Sequence, residues 1–197
     1  MILSHPEWEW FIAALCRGSD PDRAPRFARV IAALNATGAM ADIDDSPELL
    51  PLPAGSIERE ITRLAGGRRF DLIFTHGPAG EYTRHPRHEQ VSSAVLALWE
   101  GGRLEARRLY RFAYSDHQRP TLPKAVPEAD WQFDLPDEVW RKKYQLITSA
   151  YGFSPESWEA RTTPRREAFW SLARPEETPE RRNGAERAAR HPGEARA

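Results

Sequence analysis

The stretch from residue 70 to residue 98 reads FDLIFTHGPAGEYTRHPRHEQVSSAVLAL and sets the architecture expected for this chain. Its first part, Phe70–Thr75, is a short, mostly apolar run closed by His76-Gly77-Pro78, as a buried strand is. Its last part has the i, i+3, i+4, i+7 spacing that gives a helix one apolar stripe: Val91, Ala94, Val95 and Leu98. The stretch therefore predicts a strand, a polar loop and a helix.

The same alternation extends in both directions along the chain. Two more runs, Trp10–Cys16 and Leu109–Tyr114, are typical of strands covered on both faces. Helical spacing recurs at residues 27–34, more weakly at 57–64, and again at about 136–151. This order predicts an α/β fold: a Rossmann-like, mostly parallel sheet with helices on both faces. The polar loops at Asp20, His76 and Asp116 then lie at the carboxyl edge, where such sheets bind ligands.

Composition limits the domain count and the classes of partner. A chain of 197 residues suits one domain, expected over residues 1–172, with a disordered charged tail at 173–197 that lacks aromatic residues. The formal net charge of −1 argues against nucleic-acid binding, and the longest apolar run is too short to span a membrane. A single cysteine, Cys16, and the lack of a secretory signal favour the cytoplasm, with Cys16 expected to be a small buried side chain.

Three of the six histidines fall in the loop and at the start of the following helix. Pro86 suits the first turn of that helix, so that His85 and His88 stand three residues apart at its entrance. Neutral imidazole is a common zinc ligand, and both side chains can lean toward the sheet edge. Taken alone, the spacing also suits a helix start with solvated histidines.

The surroundings of these histidines resemble a known family. Thr75-His76-Gly77, Gly80-Glu81-Tyr82 and His85-Pro86-Arg87-His88 are similar to the C-terminal signature of the PIG-L/LmbE-like zinc-dependent de-N-acetylases. Leu15–Asp20, Met40–Asp45, Lys143-Tyr144 and Tyr151–Trp158 resemble other parts of that family. The resemblance covers about residues 10–172.

The resemblance implies a role for five residues. His88 is similar to the zinc ligand, and His85 to the histidine that stabilises the oxyanion or protonates the leaving amine. Tyr82 is similar to a tyrosine that polarises the amide carbonyl. Arg23 and Asp45 are expected to bind the sugar hydroxyls, the alternative for Arg23 being a solvated helix face.

Two departures lie within the signature itself. Arg87 stands where the family has an aspartate, so any carboxylate that supports His85 must come from elsewhere. One extra residue also separates Tyr82 from His85, which alters the reach expected of the tyrosine.

The larger departure is at the start of the chain. The family opens with a strand that ends in His-Pro-Asp-Asp-Glu, which supplies two zinc ligands and the general base. Here His5-Pro6-Glu7-Trp8 is a near match, but Trp cannot coordinate zinc and the next strand follows at once. We interpret His5-Pro6 as a coincidence, and expect the family's first strand-helix unit to be missing and its motif to lie upstream of Met1.

The function implied by the resemblance is hydrolytic removal of an acetyl group from an N-acetylglucosamine-like amide through a zinc-activated water. The expected partner is thus a small N-acetylated amino-sugar conjugate. Because only His88 remains of the three family ligands, the chain itself is expected to bind zinc poorly and to have little activity. The alternative is a non-catalytic relative that serves as a sugar- or partner-binding module. A nucleotide-binding domain is disfavoured, because no Gly-x-Gly-x-x-Gly or P-loop follows a strand.

Overall fold

A computed structural model of the chain describes residues 1–81, 85–115 and 122–174. The helices are α1 (Arg23–Ala33), α2 (Ser56–Ala65), α3 (Pro86–Glu100), α4 (Asp137–Gln145) and α5 (Trp158–Arg161), with a 3-10 turn at Ile2–Ser4 and a π-helical turn at Leu146–Ala150. The strands are β1 (Phe11–Ala14), β2 (Thr37–Met40), β3 (Arg69–Thr75), β4 (Glu105–Phe112), β5 (Tyr114–Ser115), β6 (Lys124–Ala125), β7 (Trp131–Asp134) and β8 (Arg166–Ala173). The predicted α/β class is confirmed.

The strands form a four-stranded sheet and two two-stranded sheets. In the larger sheet the order is β3-β4-β8-β7; β3 and β4 are parallel, whereas β8 and β7 join antiparallel. β1 pairs in parallel with β2, and β5 pairs antiparallel with β6. The expected parallel order thus applies to the β1–β2 and β3–β4 pairs, while the C-terminal strands make the larger sheet mixed.

The best-packed part of the core lies between α2, α3 and the β3–β4 pair. Its buried members are Ile57, Ile61, Ala65, Ala94, Val95, Leu98, Trp99, Leu104, Ala106 and Leu109. They include three of the four stripe residues predicted on α3. The indole Nε1 of Trp99 donates to the carbonyl oxygen of Ala106 at 2.9 Å, which satisfies the one polar atom of that side chain. This packing holds the middle and last turns of α3 against the sheet.

The first strand is less buried than its apolar sequence predicts. None of the four β1 residues is fully buried, α1 has no fully buried residue, and Cys16 is half-buried. Within the described residues, β1 pairs with β2 along one edge, and no backbone pairing joins it to β3. Gly38 lets α1 approach β2 closely, because a Cβ there would lie 2.9 Å from the Phe27 ring. The burial predicted for this strand is therefore wrong, because α1 covers the β1–β2 pair only in part.

Other elements follow the sequence expectations with small shifts. The strand predicted at residues 109–114 is interrupted at Ala113, whose N–H donates to Ala168 of β8 at 2.9 Å. The predicted helix at 136–151 is α4 continued by the π-helical turn. β8 runs one residue past the expected domain end at residue 172, and the tail from residue 175 onward lies outside the described residues, as does Asp116. No helix in the described part of the chain is long and apolar enough to cross a bilayer.

Candidate metal centre

A tight turn follows β3 and brings Glu81 back beside His76. The N–H of Gly80 donates to the carbonyl oxygen of Gly77 at 3.2 Å. A Cβ on Gly77 would lie 2.7 Å from the carbonyl oxygen of Phe112 and 2.8 Å from that of Gly80, so no larger residue fits there. Gly80 has φ +78°, in the left-handed region that glycine adopts without strain. The two glycines therefore allow the loop to fold back at the carboxyl end of the sheet.

The start of α3 places two histidines at the same edge. His85 is extended (φ −129°, ψ 122°), Pro86 occupies the first turn, and His88 follows within that turn. The His88 ring stacks on the His76 ring with centroids 4.1 Å apart and planes inclined by 6°. The His85 and His88 rings are 5.0 Å apart. The three histidines singled out in the sequence therefore lie together.

His76 and His88 converge on the buried carboxylate of Glu81, which is 6% exposed. Oε1 of Glu81 lies 2.7 Å from His76 Nδ1 and 3.5 Å from His88 Nδ1. One potential ligand atom from each of the three residues lies within 4.8 Å of the others. Glu81 Oε2 and His88 Nδ1 are buried without a hydrogen-bond partner in the described structure. Buried polar atoms rarely lack partners. An oxygen and a nitrogen without a hydrogen-bond partner in such a cluster are therefore consistent with the binding of a cation by these two atoms.

The ionisation of the cluster also suits a cation. Burial alone would raise the pKa of Glu81, but the hydrogen bond from His76 and the nearby imidazoles hold its pKa below the ordinary value. Burial, reinforced by His76, lowers the pKa of His88 to about 4. At neutral pH the cluster therefore offers a carboxylate and a neutral imidazole, the forms that bind metals.

A second carboxylate faces His85 from the segment after β2. Asp45 Oδ1 lies 3.6 Å from His85 Nε2, and Asp45 Oδ2 lies 3.6 Å from Arg17 Nε. Arg17 also lies 3.5 Å from the Asp20 carboxylate. His85 Nδ1 is buried and has no hydrogen-bond partner within the described chain. Asp45, expected to bind sugar hydroxyls, thus contacts the histidine expected to be catalytic.

Arg87, which stands in place of the family's aspartate, is a buried anchor and is 4% exposed. Its Nε donates to the carbonyl oxygen of Asp44 at 2.6 Å and its Nη2 to that of Leu50 at 2.7 Å. Nη2 also lies 3.2 Å from the Asp44 carboxylate. Arg87 therefore ties the start of α3 to the segment that carries Asp45.

Arg23 lies against aromatic rings and is half-buried, so its environment is not a fully solvated helix face. Its guanidinium carbon is 5.7 Å from the Tyr151 ring centroid and 5.4 Å from that of Phe153. The neighbouring Arg26 donates to the carbonyl oxygen of Tyr151 at 2.7 Å and holds this aromatic segment against α1. Within the described structure the Arg23 guanidinium has no carboxylate within salt-bridge distance and makes no hydrogen bond or ring contact with the histidine cluster, although the backbone N–H of Arg23 donates to the Asp20 carboxylate at 2.9 Å.

The remaining candidate residues lie apart from the cluster or outside the described structure. His5 Nδ1 lies 3.3 Å from the Glu7 carboxylate, and the His5 ring stacks on Trp8. His5 shows no contact with His88 within the described chain. Tyr82 falls in residues 82–84, outside the described residues.

Sequence reasoning missed His76 and Glu81 as metal donors. Their signal was present in the loop, where two glycines separate a post-strand histidine from a glutamate that precedes the next helix. The turn that these glycines allow is what brings the two side chains together.

Comparison with known proteins supports the fold but shows no family. No protein-family model and no curated protein matches the chain. Among solved structures it is similar to the crystal structure of GalB, the 4-carboxy-2-hydroxymuconate hydratase from Pseudomonas putida KT2440. The two are 18% identical with a TM-score of 0.57, over 87% of this chain and 88% of that one. At this identity the likeness shows a shared α/β fold alone.

Proposed function

We propose that the chain is a metal-dependent enzyme that uses water as a reactant, with its cation held by His76, Glu81 and His88. The observation that carries this proposal is the convergence of two imidazoles on the buried Glu81 carboxylate, at 2.7 and 3.5 Å. This set replaces the expectation that His88 alone is left to bind zinc. Two nitrogen donors and one carboxylate are a common catalytic zinc set, so we propose zinc as the cation.

A divalent cation at such a site supplies Lewis acidity, which lowers the pKa of water and polarises a carbonyl oxygen. The protein supplies the proton transfer. Asp45 faces Nε2 of His85, and the buried Nδ1 of His85 has no hydrogen-bond partner within the described residues. His85 can therefore take or give a proton at Nδ1, while Arg17 holds the Asp45 carboxylate in place.

The substrate class we propose first is the amide of an N-acetylglucosamine-like conjugate, on the grounds of the PIG-L/LmbE-like resemblance. In that reaction His85 protonates the leaving amine and acetate is the second product. The second candidate is the addition of water to an unsaturated carboxylic acid. It is favoured by the activity named for the structural neighbour and by Arg23, a half-buried cation without a carboxylate partner in the described structure.

The test uses the full chain loaded with zinc and two assays run in parallel. Release of free amine from an N-acetylglucosamine conjugate reports deacetylation, and loss of ultraviolet absorbance by an unsaturated dicarboxylate reports hydration. We expect turnover in one assay, abolished by chelation and by His88→Ala, and kept by the control His5→Ala.

Two other results would contradict the proposed metal-dependent activity. Turnover that survives both chelation and His88→Ala would overturn the proposed centre. Sugar binding without turnover, unchanged by chelation, would support the non-catalytic alternative instead.

A further inference from the structure

A buried hydrogen-bond network connects β4 and α3 to the backbone of His76. Ser92 is 0% exposed, and its hydroxyl donates to the carbonyl oxygen of His76 at 2.7 Å. Arg111 donates to the same hydroxyl oxygen twice, from Nε at 3.0 Å and from Nη2 at 2.8 Å. Within the described residues, Arg111 has no carboxylate within salt-bridge distance.

The network fixes the direction of the Ser92 hydroxyl. A hydroxyl has one proton and two acceptor lone pairs. The two guanidinium donors occupy both acceptor positions, so the single proton is left to point at His76. A positively charged donor also polarises the O–H bond and strengthens the bond that it donates. The His76 carbonyl is therefore held in one position relative to β4.

The same network connects the backbone of His76 to the helix that carries His88. Ser92 lies four residues after His88 on α3, so the two side chains share one face of the helix, one turn apart. Arg111 pairs in register with Thr75, the residue that precedes His76. One end of the network thus lies on the helix of His88, and the other lies on β4, which pairs with the strand that precedes His76.

From this arrangement we infer that Arg111 and Ser92 are positioning residues that set the separation between His76 and His88 for a divalent cation. The inference rests on the proposed metal centre. Neither side chain is a ligand; each acts through the backbone of His76. Outer partners of this kind typically contribute tenfold to a hundredfold in metal affinity.

The experiment measures zinc affinity by competition with a chromophoric chelator for the full chain and its variants. We expect Ser92→Ala and Arg111→Met each to bind zinc roughly tenfold to a hundredfold more weakly. The double variant should be no weaker than the worse single variant, because both changes break one network. The matched control is Arg108→Met on the same strand, whose guanidinium lies 3.5 Å from the Ser171 hydroxyl; it should bind zinc as the unmodified chain does.

The visible spectrum of bound cobalt(II) is a second measurement, and a general loss of stability would not change it. This spectrum reports the number and arrangement of ligands, and we expect it to change in Ser92→Ala and in Arg111→Met but not in Arg108→Met. If Ser92→Ala fails to fold by circular dichroism, Arg111→Lys is compared with Arg111→Met. The lysine variant keeps a charged donor and should retain more of the zinc affinity.

The outcomes separate this inference from the proposed function. An unmodified chain without zinc affinity would overturn the proposed centre itself. Tight zinc binding by the unmodified chain, with equal affinity and an unchanged cobalt spectrum in folded Arg111→Met, would overturn the positioning role alone.

Discussion

Asp45 Oδ1 lies 3.6 Å from Nε2 of His85, although the two residues are far apart in the sequence. Arg87 makes this contact possible, because it binds the backbone of Asp44 and so fixes the segment that carries Asp45. The family signature has a carboxylate between its two histidines, whereas here an arginine at that position holds another segment whose carboxylate reaches His85. We take Asp45 as the orienting partner of the proposed proton-transfer residue.

Replacing Asp45 should slow turnover without removing the metal. Asp45→Asn keeps the size of the side chain but removes the negative charge that faces Nε2 of His85. We expect kcat to fall roughly tenfold to a hundredfold, with the zinc content unchanged. The control is Asp71→Asn, an exposed change on β3. Equal kcat in the Asp45 and Asp71 variants would remove Asp45 from the mechanism.

Arg87 should matter for stability rather than for chemistry. Arg87→Met removes the charged donor of the carbonyl oxygens of Asp44 and Leu50, and a hydrogen bond that involves a charged group contributes about 1.5–3 kcal/mol. We expect the free energy of unfolding in urea to fall by about 2–4 kcal/mol in total. The exposed Arg107→Met is the matched control.

A sharper test introduces the aspartate found at this position in the signature that the segment resembles. Arg87→Asp should be more destabilising than Arg87→Met, because a carboxylate would face the Asp44 carboxylate and two carbonyl oxygens. An Arg87→Asp protein as stable as the unmodified chain would show that Arg87 is not an anchor.

The elements that were predicted well are those with a strong local pattern. α3 and α1 have clear helical spacing, and β3 is a compact apolar run closed by glycine and proline. β8 was not foreseen, because it mixes the buried Glu167 with apolar residues and depends on β4 and β7 for its place. A strand that is defined by its neighbours has little signal of its own.

The candidate site was likewise predictable only where its residues are close in sequence. The spacing of His85 and His88 was visible in the sequence, because both lie on one helix turn. Arg87 bonds to a backbone 43 residues away, a distance that no local pattern encodes. The expectation that a strand-helix unit is missing stays a prediction, as does the domain boundary.

A buried ion pair on β8 predicts a pH dependence of stability. Glu167 is 5% exposed, and it lies 2.6 Å from Lys143 Nζ and accepts from the Tyr114 hydroxyl at 2.8 Å. Burial alone would raise the pKa of Glu167, but Lys143 and Tyr114 hold it below the ordinary value of 4.5. The unfolded chain therefore binds a proton more readily, so this contribution is present above pH 4.5 and is lost as the pH falls through the folded pKa.

Chemical denaturation at a series of pH values checks this prediction. The free energy of unfolding should fall more steeply below pH 4.5 in the unmodified chain than in Glu167→Gln. At pH 7 the variant should be less stable, because Lys143 loses its counter-ion. Glu128→Gln, an exposed change, should leave the pH profile as it is. Parallel profiles for the unmodified chain and Glu167→Gln would contradict the assignment.

Cys16 should be a poor nucleophile. Burial, followed by the negative charge of Asp45, raises the pKa of the Cys16 thiol to about 11. At pH 8 only about one molecule in a thousand then carries the reactive thiolate. We expect alkylation by iodoacetamide to be on the order of a hundredfold slower than that of free cysteine. Denaturant should restore the full rate, and fast alkylation of the folded chain would contradict the raised pKa.

Zinc should raise the thermal stability of the chain through His76, Glu81 and His88. A ligand that binds only the folded state at a hundred times its Kd stabilises it by about 2.7 kcal/mol. In a domain of this size that corresponds to a Tm increase of roughly 5–10 °C.

The increase should disappear in His88→Ala and in Glu81→Gln, because the first removes one imidazole donor and the second replaces the carboxylate with a weakly binding amide. Differential scanning fluorimetry with and without zinc measures it. His5→Ala should keep the full shift, since the His5 side chain contacts Glu7 and Trp8 at the N-terminal segment. A shift that survives in Glu81→Gln but vanishes in His5→Ala would place the metal at the N-terminal segment instead and would overturn the centre proposed here.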